Sequence, residues 1–548
     1  MGYSFLFQIE SFDNSFNRES LNNKRFNKNK ITSRAEMIFP TKKEYIEKAE
    51  NYNLIPVFKE FMVDTETPVS IFIKAGGLET KSFLLESIEG SKNIARYSFI
   101  GVGYNSIINF SEGNLIFESK NNKTVNIKTN APLTEIQNIL NSFCFYKNPE
   151  LEHFTGGVVG YLSYDLVRYF ENIPLPPKYV HFPEIALFLT DLIIVFDHIL
   201  NRMKIISTVK ISEDLSPEKA YFLSVKKIKE VEEKIYKCQI ANCNNSNFKN
   251  SNYNNFYSPN INLKHTNFKN SKEKLNIKSN FKKEKFIESV ERIKNYIIDG
   301  DVFQVVLSQR FFTSYSSNPF NIYRALRTVN PSPYMYYINF GDFKIIGSSP
   351  EPLIKINNRK VLTYPIAGTR KRGINEKEDR FLINNLLNDE KEKAEHNMLV
   401  DLARNDLGRV CRFGSVKITK YMYVEKYSHV IHLVSRIEGI LDKNKTIYDA
   451  LKSAFPAGTL TGAPKVRAMQ IISELEPDRR GPYGGVVGYI GYDGNLDTCI
   501  TIRTAIVKDN LVYIQSGAGI VYDSIPENEC DETINKASAL FKSIELIK

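Results

Sequence analysis

The chain has 548 residues, 42% apolar and 25% charged, with no tryptophan and a formal net charge of +11, which is the composition of a globular protein with a substantial core. No run reaches the roughly 18 uninterrupted apolar residues of a membrane span, and "MGYSFLFQIE" lacks the basic start and long apolar stretch of a secretory signal. Cys144, Cys238, Cys243, Cys411, Cys499 and Cys530 are scattered without ligand spacing; this argues against zinc and for reduced thiols in the cytoplasm, with a plastid open for a photosynthetic source.

In chain order, residues 1–36 read as an irregular extension rich in Asn, Lys and Arg. A first folded region spans 37–237. Thr41 is placed to cap a helix over "KKEYIEKAE", and short strands are expected at "PVSIFIKA", "NIARYSFIGV" and "NLIFES". "GGVVGYLSYD" (156–165) then recurs as "GGVVGYIGYD" (484–493), with eight of ten positions identical. So glycine-heavy a string, written twice, points to two related halves that each bury an equivalent strand. "SPEKAYFLSVKKIKEVEEKIYKC" reads as a capped, charged amphipathic helix.

Residues 238–282 form a low-complexity insert with fourteen Asn among 238–280. Residues 237–283 hold nine Lys against one Glu, which is +8 of the total charge. Such a tract buries too little surface to offset chain entropy, and it contains no folded nucleic-acid recognition module, so no nucleic-acid partner is expected. The remainder is close to neutral.

The second block, 283–548, carries polar and glycine-rich strings that core packing does not require. They include "GDVFQVVLSQRF", "GSSPEPL", "TYPIAGTRKRG", "DEKEKAEHNMLVDLARNDLGRV", "SHVIHLVSRIEG", "FPAGTLTGAPKVRAMQ", "DTCITIRTA" and "SGAGIVYDSIPENECDETINKA". Glu392 and Glu395 lie three apart on an expected helix, as do Glu529 and Glu532. Two meeting acidic pairs would repel without a cation, and hard oxygen ligands suit Mg²⁺. The plain alternative is two solvated helix faces paired to nearby lysines, and spacing alone leaves both open.

Together the strings resemble the chorismate-utilising enzymes, and most closely the anthranilate synthase component I family, from Met37 to the end with the insert left out. The resemblance implies a two-subdomain α/β sandwich with structurally alike halves, in keeping with the repeated strand. It implies Mg²⁺ on Glu395 and Glu529, with Glu392 and Glu532 as neighbours. It places chorismate against Thr461, Tyr483, Arg503, the Gly517–Ala518–Gly519 backbone and Lys536. Arg503 offers a fork for a carboxylate, and "TLTGAPK" sets Thr461 before a helix with Pro464 near its first turn, whose free amides can accept an anion. Glu351 matches the general acid and His432 the active-site histidine. His429, three positions earlier on one strand, points to the opposite face.

Single residues select the branch. Relatives that activate water carry a lysine where this chain has Gln304, and many aminodeoxychorismate synthases carry a covalent lysine where it has Ala367, which cannot do that chemistry. The alternative reading is the aminodeoxychorismate synthase large subunit. "LLES" (Leu84, Leu85, Glu86, Ser87) and "NPSPYM" (Asn330, Pro331, Ser332, Pro333, Tyr334, Met335) resemble the family's tryptophan-feedback element. No cysteine has the surroundings of a glutaminase nucleophile, so the resemblance implies a separate glutamine amidotransferase subunit and a hetero-oligomer.

Overall fold

The computed structural model describes residues 37–88, 96–120, 123–244, 275–427 and 430–547, with side chains through 237 in the long helix that ends at 244. The expectations for residues 1–36, for His429 and for most of the insert lie outside the described residues. Two large antiparallel sheets of 13 and 12 strands pack face to face. Between them lies an aromatic core including Phe83, Phe99, Phe154, Tyr161, Phe188, Tyr336 and Phe340. Helices cover both outer faces: Pro68–Lys74, Pro217–Asn244, Pro319–Val329 and Pro526–Glu545 seal the first sheet, and Pro132–Asn141, Glu390–Gly408 and Ile447–Ala454 the second. This is the α/β sandwich that the resemblance implied.

The repeated segments are neighbours at the centre of the second sheet. Gly157–Leu162 runs antiparallel to Val486–Gly491, with Gly160 opposite Gly488, Val159 opposite Tyr489 and Tyr161 opposite Val487. Each copy thus pairs with the other about the same glycine, the signature of a pseudo-twofold axis through Gly160 and Gly488. The first sheet has the matching junction, where Ser82–Glu86 pairs with Tyr334–Asn339. The strand order of the first sheet describes equivalent chain paths from either edge.

The halves differ by two additions in the C-terminal one. Residues 366–426 add two strands and two helices, and residues 455–483 add the helix Lys465–Leu475 and its flanking loops. The long polar helix, expected to end near Cys238, continues to Asn244. At the far side of the insert, Lys278–Ser279 pairs with the strand Gln304–Ser314, and Phe281 is buried.

One expected strand is a helix. "PVSIFIKA" coils as Pro68–Lys74, with Pro68 in its first turn and a reciprocal Thr67–Ser70 capping box. The alternation of Val69, Ile71 and Ile73 suggested a strand, but a capped proline start outweighs that short β-branched pattern. The other cap expectation agrees with the structure: Thr41 and Glu44 form a capping box on Lys42–Ala49.

A methyl group at Gly160 would lie 2.0 Å from the Ala186 carbonyl oxygen, and one at Gly488 2.1 Å from that of Asp497. Gly160→Ala is therefore expected to cost more than about 3 kcal/mol, or to prevent folding, by urea titration. Gly408→Ala, where a methyl meets nothing within 4 Å, is expected to be neutral or to stabilise by up to about 1 kcal/mol.

Candidate active site

The site forms where strands of the C-terminal half, in both sheets, meet the two additions. Gln304 opens the strand Gln304–Ser314 and pairs with Ala463. Next to that strand runs Leu511–Ile520, with Gly517 opposite Ser308 and Gly519 opposite Val306. A methyl on Gly519 would come within 2.6 Å of Gln304 Nε2, and one on Gly517 within 2.9 Å of the Tyr483 hydroxyl. Those glycines leave the strand bare where both side chains approach it. Lys536, from the helix Pro526–Glu545, donates to the Gly517 carbonyl at 3.0 Å and pairs with Glu532 at 2.5 Å.

Beneath this strand pair lies a buried charge network. Arg480 binds Glu476 through Nε at 2.9 Å and Nη2 at 2.6 Å, and it also donates to the carbonyls of Leu460 and Val306. Glu476 accepts from the Ser308 amide and hydroxyl. The Arg480 guanidinium lies 4.7 Å from the Tyr164 ring centroid and 5.6 Å from that of Tyr483. A charge pair this deep persists because its remaining hydrogen-bonding groups are engaged.

The acids sit in strained electrostatic surroundings. Burial pushes the Glu351 carboxyl up to about 7, against the pull of a Thr459 hydrogen bond and of the Lys536 charge. Thr459 Oγ1 donates to Glu351 Oε1 at 2.9 Å, and both line a cavity of about 50 Å³ walled by Leu399, Leu402, Ala457 and Ile500. Glu395 is raised by burial and then by Glu392, with a hydrogen bond from Gln304 opposing. Glu529 is raised by burial, with Ser524 opposing and Glu532 adding to the rise. Lys391 and Lys536 both lower the carboxyls of Glu395 and Glu529 against that rise. Among the described residues, no group of three or more His, Cys, Asp or Glu side chains converges as a metal cage. Glu392 is engaged elsewhere, by Arg370 at 2.7 Å.

Two cation-forming groups lie close by, Arg503 near Glu532 and His432 near Glu392 and Glu425. Arg503 has its charged form disfavoured by burial, with Tyr483 and Glu532 opposing, and it pairs with no carboxylate among the described residues. His432 is likewise lowered, first by burial. Its Nδ1 lies 3.1 Å from both the Gly368 carbonyl oxygen and Thr369 Oγ1. A carbonyl only accepts, so Nδ1 carries the proton and Nε2 keeps a lone pair.

Gln304, Glu351, Glu395, His432, Tyr483, Arg503, Gly517, Ala518, Gly519, Glu529 and Lys536 are therefore brought to one region. Thr461 contributes differently: it is fully buried, its hydroxyl donates to the Ala457 carbonyl and its own carbonyl accepts from Val306. Pro464 precedes the helix Lys465–Leu475 as its cap residue and does not sit in its first turn. Sequence reasoning missed Thr459, Gly368, Thr369, Glu476 and Arg480. The first three lie inside strings already singled out, one or two positions from the residues chosen.

The "LLES" and "NPSPYM" strings lie on adjacent strands, with Met335 opposite Glu86. Their side chains divide between the sheet's two faces. Glu86 turns to the helix Pro319–Val329, bonded by Tyr323 and by Arg327 at 3.1 and 3.2 Å. Tyr334 crosses to the second sheet and donates to Asp497 at 2.9 Å. Ser332 Oγ lies 2.9 Å from Ser348 Oγ. The Ser87 hydroxyl is buried without a partner among the described residues.

A family profile described as chorismate binding enzyme matches residues 81–542. An anthranilate synthase component 1 from Acetivibrio thermocellus is 46% identical over 510 residues, covering 93% of this chain and 99% of that sequence. One from Aquifex aeolicus is 45% identical, covering 91% and 96%. The solved anthranilate synthase component I from Streptococcus pneumoniae superposes with a TM-score of 0.68 at 36% identity, covering 88% of this chain and 98% of that one.

The raised Glu351 carboxyl has a thermodynamic consequence. With the folded value at about 7 against an ordinary 4.5, its ionisation opposes folding. That cost is absent below about pH 4.5, grows between 4.5 and 7, and is complete above 7. Glu351→Gln is expected to stabilise the protein on the order of 3 kcal/mol at pH 8 and by little at pH 4.5, read by denaturant titration at the two pH values.

Proposed function

The chain belongs to the chorismate-binding enzyme family and to its anthranilate synthase component 1 branch, and on that footing we propose that it converts chorismate and ammonia to anthranilate, pyruvate and water. This is the committed step towards tryptophan. The observation that carries the reading is Arg503: a partly buried guanidinium whose charged form burial disfavours, with no carboxylate paired to it among the described residues. A ligand bearing carboxylates supplies that partner.

Ammonia adds at the ring carbon beside the carboxylated one, and the 4-hydroxyl departs as water. Glu351 supplies the proton, since a carboxyl near 7 is substantially protonated at neutral pH. Gln304 is uncharged and leaves an already nucleophilic ammonia unprotonated. Aromatisation then requires removal of the proton at the aminated carbon and loss of the enolpyruvyl oxygen, released as pyruvate. We assign the proton to His432 Nε2, the nitrogen left free by the Gly368 contact. Arg503, Tyr483, Lys536 and the amides of the Gly517–Gly519 strand orient the substrate.

Glu395 and Glu529 are the residues to hold Mg²⁺. Their raised carboxyls fit a cation, and Mg²⁺ is commonly held by one or two carboxylates with waters and substrate oxygens, so a closed protein cage is not needed. When bound it offsets the charge of the ring carboxylate. Tryptophan as feedback inhibitor is supported by the orphaned Ser87 hydroxyl, a buried donor awaiting an acceptor beside the "NPSPYM" strand. A glutamine amidotransferase partner is inferred because the chain shows no glutaminase nucleophile, and the reduced cysteines suit the cytoplasm.

Purified chain with chorismate, Mg²⁺ and ammonium salt at mildly alkaline pH is expected to form fluorescent anthranilate, whereas glutamine serves only after an amidotransferase subunit is added. Accumulation of aminodeoxychorismate without pyruvate would move the chain to the alternative branch, and isochorismate would contradict the role of Gln304. Glu395→Gln and Glu529→Gln are each expected to raise the Mg²⁺ requirement at least about tenfold with little loss of stability; unchanged metal titrations would refute the assignment. Ser87→Phe is expected to abolish tryptophan inhibition while activity without tryptophan persists.

A further inference from the structure

The first copy of the repeat ends in "YLSYD", and its last three residues reach into the other half of the molecule. Ser163 Oγ donates to the Gly481 carbonyl at 2.7 Å, and the Tyr164 amide donates to the same oxygen at 3.0 Å. The Gly481 amide in turn donates to Asp165 Oδ2 at 3.2 Å. Both polar groups of one peptide residue are thus held by the N-terminal half. Gly481 stands two positions before Tyr483, between it and the fixed Arg480, in a left-handed turn with φ +60°. The ring of Tyr164 also lies against Gly484, 3.3 Å from where a methyl would sit.

The second copy's aspartate does something unrelated. Asp493 closes its own hairpin by accepting from Asn495 and pairs with Lys147 at 3.3 Å. Pseudo-symmetry alone therefore does not account for what Asp165 holds. Asp165 is 3% exposed, and its Oδ1 is buried with no hydrogen-bond partner among the described residues. A half-satisfied buried carboxylate is costly for stability alone, which calls for another reason for its presence.

The geometry points to Asp165 as a positioning residue for the reaction: its carboxylate grips the Gly481 amide and so sets the turn that aims Tyr483 at the substrate strand. The inference rests on the reading of Tyr483 as a substrate-binding residue. Around the Asp165 carboxyl stand Glu184, Arg479 and Arg310, with Tyr161 and Tyr164 on the same chain segment and the Glu476–Arg480 pair beyond Tyr164. Glu184 is itself paired with Arg168, and Arg310 with Asp478. Burial, then Glu184, lifts the carboxyl to about 7, with the two arginines pulling it down. The grip is accordingly strongest above neutrality, where the charged form accepts the amide, and it weakens as the carboxyl gains a proton.

The test measures chorismate dissociation constants on the full chain with Mg²⁺ and without ammonia or glutamine, so that nothing turns over, alongside ammonia-dependent kinetics. Asp165→Ala is expected to weaken chorismate binding and raise its KM about tenfold at pH 8, with kcat within about threefold. Asp165→Asn retains a neutral acceptor and is expected to bind about threefold more weakly than wild type at pH 8. Its ratio to wild type should fall towards one at pH 6, where the native carboxyl is also neutral. A folded Asp165→Ala with wild-type affinity, or an Asn variant whose ratio to wild type ignores pH, overturns the inference. Tyr483→Phe, run in parallel, isolates the premise. If that variant binds chorismate as wild type does, the substrate reading of Tyr483 fails whatever Asp165 does.

Discussion

Everything in this molecule hangs on a strand pair that admits no side chain at its centre. Gly160 and Gly488 face each other across the axis relating the two halves. Each lies so close to a neighbouring carbonyl that even a methyl is excluded. Flanking them, Val159 against Tyr489 and Tyr161 against Val487 put the same side-chain types on both sides of the axis. A one-residue slip would move every one of those side chains to the wrong face. The join is therefore fixed in register, and with it the offset between two subdomains whose facing surfaces build the aromatic core.

A symmetric frame would produce two equivalent clefts, but chemistry is concentrated in one. Gln304, Glu351, Arg503, Gly517, Gly519, Glu529 and Lys536 stand on framework elements of the C-terminal half. Glu395, Gly368, Thr369, Thr459, Glu476, Arg480 and Tyr483 arrive on its two additions. The first addition brings a carboxylate and fixes the His432 tautomer. The second brings the Glu351 partner and a charge pair locked under the substrate strand. Burial is what these pieces share, and it acts in one direction on the acids, holding Glu351, Glu395 and Glu529 towards their protonated forms.

Much of this was legible before any coordinates. The duplicated decapeptide announced two halves and Thr41 its cap, because each is a local pattern with a direct physical reading; the motif strings pointed to a site only through their resemblance to a family, since spacing alone leaves the acidic pairs open. The failures were of two kinds. "PVSIFIKA" was misjudged because three alternating apolar residues weigh less than a proline start with a reciprocal cap. Arg480 and Glu476 were passed over because, as a charge pair four apart, they look like an ordinary solvated helix pair; only tertiary packing shows that both side chains are about 1–2% exposed. Thr461 and Thr459 show the same limit at finer scale. Two threonines two positions apart are equivalent as letters, and which hydroxyl faces the cavity depends on a loop that no periodicity describes.

The second junction of the halves, in the first sheet, carries the remaining argument. Met335 pairs with Glu86 on one side and with Ser348 on the other, and the Ser348 amide donates to the Arg503 carbonyl at 3.1 Å. The adjacent Tyr336 places its hydroxyl 2.6 Å from Thr504 Oγ1, next to Arg503 in the chain. Arg503 itself holds a left-handed conformation, φ +51°, which a residue with a side chain keeps only where its surroundings over-determine it. The strand proposed to sense an effector is thus linked to the segment that holds the unpaired guanidinium, through Ser348 on the intervening strand and through the Tyr336–Thr504 side-chain bond. A sheet is stiff along its hydrogen bonds, so the proposed effector, bound beside Met335, would need no long relay to act at Arg503. Duplication supplies the reason for this proximity: both sheets must cross the axis, and in the first sheet that crossing sets Ser82–Glu86 beside Tyr334–Asn339, one strand away from the residues bonded to Arg503.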